Sequence, residues 1–60
     1  MNKNPRYEII AQNGQVLEHS FKDFKLAVNR VWQYKLNGHE DEHFKINEYE
    51  AGKYGKDWEA

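Results

Sequence analysis

Ser20-Phe-Lys-Asp-Phe-Lys-Leu-Ala-Val-Asn-Arg-Val-Trp-Gln-Tyr-Lys-Leu-Asn-Gly38 is the stretch whose reading decides the fold. It reads as one amphipathic helix over 21–37 with both ends marked. Ser20 suits the N-cap, since a hydroxyl there can accept from an orphan N–H of the first turn. Asp23, three residues on, makes a variant capping box and places a negative charge at the positive end of the helix dipole. At roughly 100° per residue, Phe21, Phe24, Ala27, Val28, Val31, Trp32 and Leu36 fall on one broad arc. Lys22, Asn29, Arg30 and Gln33 lie opposite, Leu26 falls outside the arc and Tyr34 lies at its edge. Lys35 lies within it near the end, where its stem can cover apolar surface while the ammonium reaches water. Gly38 suits the position just past the helix, because it takes positive φ without Cβ strain.

Upstream, residues 6–12 (Arg-Tyr-Glu-Ile-Ile-Ala-Gln) read as a strand, and residues 15–19 as its return. Asn13-Gly14 between them predicts a two-residue type I′ turn. Such a turn sets Ala11 opposite Val16 and Ile10 opposite Leu17. Tyr7, Ile9, Ala11 and Val16 then share one face, and Ile10 and Leu17 the other. Residues 1–5 are expected to fray. Downstream, 39–43 (His-Glu-Asp-Glu-His) is an exposed acidic connection, and 44–50 alternates as a third strand with Phe44 and Ile46 inward. Residues 53–59 read either as a fourth strand, broken by Gly55, or as part of a tail that packs Trp58. The register of this second hairpin stays open, with Tyr49 paired to Tyr54 or to Trp58.

The fold class expected is α+β: a small antiparallel sheet of three or four strands with one helix on one face, in the order ββαββ, as a single domain over 1–60. So short a chain buries only roughly 60% of the surface its unfolded form exposes. With no cysteine, disulfides cannot compensate. A dense aromatic core or self-association remains, and the aromatic share of 15% serves both. Nine basic against ten acidic residues, net −1, gives no general phosphate-binding surface. No apolar run approaches membrane-spanning length and no signal peptide is seen, so cytoplasmic residence is expected.

Catalytic chemistry finds thin support, and no enzyme is expected. Ser20 is the only serine and is explained as a cap, and the chain has neither Thr nor Cys. His39 and His43 are spaced like helical metal ligands, but they follow Gly38 in a loop without a third fixed ligand. A solvated charged loop is the simpler account, and neither metal nor cofactor is expected. His19 reads as half of a hydrophobic staple against Phe24. Tyr49, Tyr54 and Trp58, with Lys45, Lys53 and Lys56, could stack on single-stranded bases, which keeps a nucleic-acid-binding module as the alternative. Glu48, Glu50, Asp57 and Glu59 cancel much of that positive field. A single helix covers one sheet face, which leaves Ile10, Leu17, Tyr49, Tyr54 and Trp58 as candidate partner-binding residues. The occupant is either a second copy of the chain, as a homodimer, or another protein.

Tyr7-x-Ile9, Asn13-Gly14, the Ser20-Phe21 helix start, Lys45-Ile46 and Tyr54-Gly55-Lys56-Asp57-Trp58 together resemble small phage and mobile-element proteins of ββαββ fold, some of them anti-CRISPR inhibitors. Such inhibitors work by occupying a surface of a nuclease complex without catalysis. The resemblance therefore implies a non-catalytic protein-binding module, with no residue-level motif to carry over.

Overall fold

β1, Pro5–Ile10, is the central strand of a three-stranded antiparallel sheet ordered β2-β1-β3. β2 is Val16–Phe21 and β3 is Lys45–Glu50. A single helix, α1, runs Phe24–Tyr34 between them in sequence. The structure is a computed structural model that describes residues 4–55. Its three strands and one helix are the expected α+β architecture. The expected fourth strand is not shown: residues 51–54 form a turn, Gly55 a bend, and 56–59, with Trp58, lie outside the described residues. The chain is held from residue 4, where the Asn4 carbonyl accepts from Ala51 N–H at 3.2 Å and Pro5 faces Glu50.

The first hairpin differs from the expected one by one residue. Gly14 N–H donates to Ala11 O at 2.9 Å and Ala11 N–H to Gln15 O at 2.8 Å, which closes a three-residue loop over 12–14. Only Gly14 (φ +91°) is left-handed there, so the turn is not type I′. It is the alternative in which a turn is followed by a left-handed glycine. Asn13 Oδ1 accepts from Gln15 N–H at 2.9 Å and props the loop. The extra loop residue sets Ile10 opposite Val16, not Leu17. A one-residue slip exchanges sheet faces, so Val16 leaves the Tyr7 set.

β2 also carries two irregularities, each placing one more residue on β2 than on β1: between Glu18 and Phe21, and between Val16 and Glu18. The first contains Ser20 at φ +70°, a left-handed conformation uncommon for a residue with a Cβ. Ser20 is therefore part of a strand and does not cap the helix. Asp23 does so instead. It has extended backbone (φ −133°, ψ 136°), and its Oδ1 accepts from Lys25 N–H at 3.0 Å. The helix thus starts three residues later than expected. Its far end widens into a π-type turn over Lys35–His39, where Gly38 at φ +103° stops it as the sequence predicts.

Residues directly opposite one another share a sheet face. Tyr7, Ile9, Phe21, Glu18 and Ile46 accordingly lie on one face, and α1 packs over it. Ile9 and Ala27, on the two facing elements, are completely buried. Tyr7 and Phe24 meet edge to face at 5.7 Å, Tyr34 stacks on Phe44 at 5.4 Å, and the Tyr34 hydroxyl donates to Glu18 at 2.7 Å. That carboxylate pushes the Tyr34 phenol pKa up, through the hydrogen bond first and burial second.

Candidate protein-binding surface

A helix laid on a narrow sheet can bury only part of a wide apolar arc. Here the arc is centred on Ala27, with Val28, Val31 and Tyr34 half-buried beside it. The rest of the apolar residues spill over the side. Phe24 is 52% exposed, Trp32 59% and Leu36 76%. Phe24, Val28 and Trp32 stand four residues apart and form one line along α1, and Leu36 follows in the π-type turn. An arc drawn from periodicity has no width limit, so the sequence groups these residues with the buried Ala27. The limit comes from three strands on the facing side and from Ala27 at the contact, which lets the helix sit close. Leu26, 52% exposed, stands apart from the line and borders an open hollow of about 540 Å³ lined also by Phe21, Asn29, Arg30 and Gln33.

The helix-free face is not bare. Arg6, Glu8, Ile10, Asn47 and Tyr49 lie there by register. Glu8 is 1% exposed, the most buried charge among the described residues. Its Oε2 accepts from Asn47 at 2.7 Å and from Lys53 at 2.9 Å, and its Oε1 accepts from the Tyr54 hydroxyl. Burial raises the Glu8 pKa, but the bonds from Tyr54, Lys53 and Asn47 and the charge of Lys53 outweigh it, so the net shift is downward. The hydrogen bond to Glu8 pushes Lys53 and Tyr54 up. A carboxylate held as an anion with three donors on it is a fastening for residues 51–55. Lys53 Nζ also lies 5.4 Å and 5.3 Å from the ring centres of Tyr49 and Tyr54. His19 stacks flat on Tyr54 at 3.9 Å, so it is not the staple against Phe24 that its position suggested. No buried polar side-chain atom among the described residues lacks a partner.

Of the candidate residues read from sequence, Ile10, Tyr49 and Tyr54 lie on the helix-free face, but they are not equally open. Tyr49 is buried; its oxygen accepts from Ser20 N–H at 2.8 Å. Tyr54 is half-buried over Glu8, and Lys53, a candidate phosphate contact, is committed to the same carboxylate. Ile10 is half-buried and borders a hollow of about 220 Å³ with Ala11, Gln12, Gly14, His43 and Lys45. Leu17 is exposed on the edge strand β2, and Trp58 lies outside the described residues. Glu8 carried no signal in the sequence, where a glutamate in an alternating strand reads as outward-facing. His39 pairs with Glu42 at 3.1 Å in its own loop. Among the described residues no three His, Asp or Glu side chains converge as metal ligands, and no helix is long and apolar enough to cross a membrane.

Comparison with known proteins brings no relative to bear: no family model matches the chain, and neither curated proteins nor solved structures gave a match.

Proposed function

We propose that the chain is a non-catalytic protein-binding module and that its contact surface is the exposed line Phe24–Val28–Trp32–Leu36. The observation that carries this is the exposure of Phe24 and Trp32 on α1 and of Leu36 on the π-type turn that follows it. Contiguous apolar surface of this kind marks interaction sites on small folded domains, and Trp is the residue most enriched among those that dominate binding energy. The phage-type inhibitor, seated on a host defence or regulatory complex, is the form of this function that the sequence resemblance implies. The nucleic-acid alternative is weakened because Lys53 and Tyr54, two residues it relies on, are engaged with Glu8.

A photo-reactive phenylalanine analogue at position 32 tests the proposal in the native host. It should give one discrete protein adduct, whether with a copy of the chain or with another protein, while the same analogue at Asn29 gives none. Equal labelling from both positions, or none from position 32, would refute the proposal.

A further inference from the structure

We infer that Asn37 is a site of spontaneous covalent modification, converted to aspartate or iso-aspartate through attack by the Gly38 nitrogen, and that folding directs this reaction to Asn37 and away from Asn13. The chain carries two Asn-Gly pairs, Asn13-Gly14 and Asn37-Gly38, and as dipeptides they offer the same chemistry. Glycine has no Cβ to hinder close approach of its nitrogen, and asparagine is among the thermolabile residues. The Gly38 nitrogen gives up its proton, and its electron pair forms a bond to Asn37 Cγ while the charge passes to Oδ1. The intermediate then collapses. The Cγ–Nδ2 bond breaks, and Nδ2 takes up a proton and leaves as ammonia. Water opens the resulting cyclic imide at either carbonyl, which gives aspartate or iso-aspartate. Water is consumed and ammonia released in equal amounts, and nothing is oxidised or reduced.

The two sites differ in how firmly the reacting atoms are held. At the hairpin tip both are engaged. Gly14 N–H, the nucleophile's side, donates to Ala11 O at 2.9 Å, and Asn13 Oδ1, on the carbon to be attacked, accepts from Gln15 N–H at 2.9 Å. Ala11 N–H, bonded to Gln15 O at 2.8 Å, closes the strands beneath them. Asn37 stands beyond α1 at φ −101° and ψ 30°, with Gly38 at φ +103°, where the backbone has left the helix. Residues 36–41 are exposed without a break. The Asn37 carboxamide donates from Nδ2 to Gln33 O at 2.7 Å, on the exposed side of the helix end. Helix ends fray at little cost, whereas strands paired in a sheet open only with more of the fold. Conversion also changes the structure around it. An oxygen replaces the Nδ2 donor, so the bond to Gln33 O is lost. A negative charge appears at the negative end of the helix dipole, shortly before Glu40, Asp41 and Glu42. Leu36, next in the chain, stands on the turn that loosens.

Incubation of the purified chain in mildly alkaline buffer, native and in guanidinium chloride, tests this. Trypsin separates the two sites: cleavage after Arg6 and Lys22 yields peptide 7–22 with Asn13, and cleavage after Lys35 and Lys45 yields peptide 36–45 with Asn37. Mass spectrometry of each peptide over time reads the exchange of NH for O. In denaturant only the dipeptide matters, so the two sites should convert at comparable rates. In the native chain Asn37 should lead by ~5-fold or more, the factor that one further hydrogen bond to break corresponds to. A native ratio no larger than the denatured one refutes the inference, because the reaction would then run through unfolded chain or ignore the fold. A native lead for Asn13 refutes it as well, and so does a native chain in which neither site converts while both convert in denaturant. The converted chain, separated from its parent by the added charge on ion exchange, should melt at a lower temperature. An equal melting temperature refutes the loosening of the helix end.

Discussion

Tyr54→Phe removes a single oxygen from the fastening on the helix-free face, and its effect can be worked out. The ring remains, so the stack on His19 and the edge contact with Tyr49 at 5.3 Å remain. What goes is the donor to a carboxylate that is almost wholly out of water. A hydrogen bond to a charged group contributes about 1.5–3 kcal/mol, and little of it is recovered if water cannot reach the vacated lone pair. For a chain of this size that corresponds to a fall in melting temperature of roughly 10–20 °C. The loss should also depend on pH. The folded pKa of Glu8 lies below its unfolded value, so its contribution is present above the ordinary glutamate range and is lost as the pH falls through the folded value. Once Glu8 is protonated, the Tyr54 hydroxyl no longer serves an anion and its removal should matter less. Thermal melts of both chains, followed by circular dichroism near neutral pH and again in acid, measure the two gaps. A variant that melts within about 2 °C of the parent at neutral pH refutes the reasoning. So does a gap that is equally wide in acid, because it would show that the hydroxyl acts on something other than the carboxylate.

Ile9→Ala should cost about 2–5 kcal/mol and leave little folded protein, whereas Trp32→Ala, on the exposed line, should cost less than about 1 kcal/mol. Urea melts that reverse this order would put Trp32 in the core. Asp23→Ala should lower stability by about 1 kcal/mol through loss of the cap, and Asp23→Ser should recover most of it. If Asp23→Ala leaves the denaturation midpoint in place, the helix does not begin where Asp23 puts it.

The sequence carried the element order because each element had a local cause. Periodicity over residues 24–36 made the helix, Gly38 stopped it, and Asn13-Gly14 turned the first hairpin. The details that failed depend on non-local balance. Whether a glycine loop closes over two residues or three is settled by strand pairing, and that choice moved Val16 to the other face. Ser20 looked like a cap, but β2 runs on through Phe21, and a second capping residue stood three positions along. The candidate surface was the least legible part. Periodicity told which helix residues are apolar, but only the width of the sheet decides which of them find cover. The fastening at Glu8 joins β1 to residues more than forty positions away, and no pattern within either segment announces it.

The irregular course of β2 also bears on how the edge of the sheet meets another chain. β2 lies at the edge of the sheet, and Val16 and Leu17 on it are both partly open to solvent. A straight edge of that composition would be a template for another chain's strand and, by repetition, for fibrils. Two extra residues within six, one of them wound left-handed at Ser20, break the even spacing of N–H and C=O groups that an incoming strand must match. The strain at Ser20 therefore serves as a guard against open-ended growth.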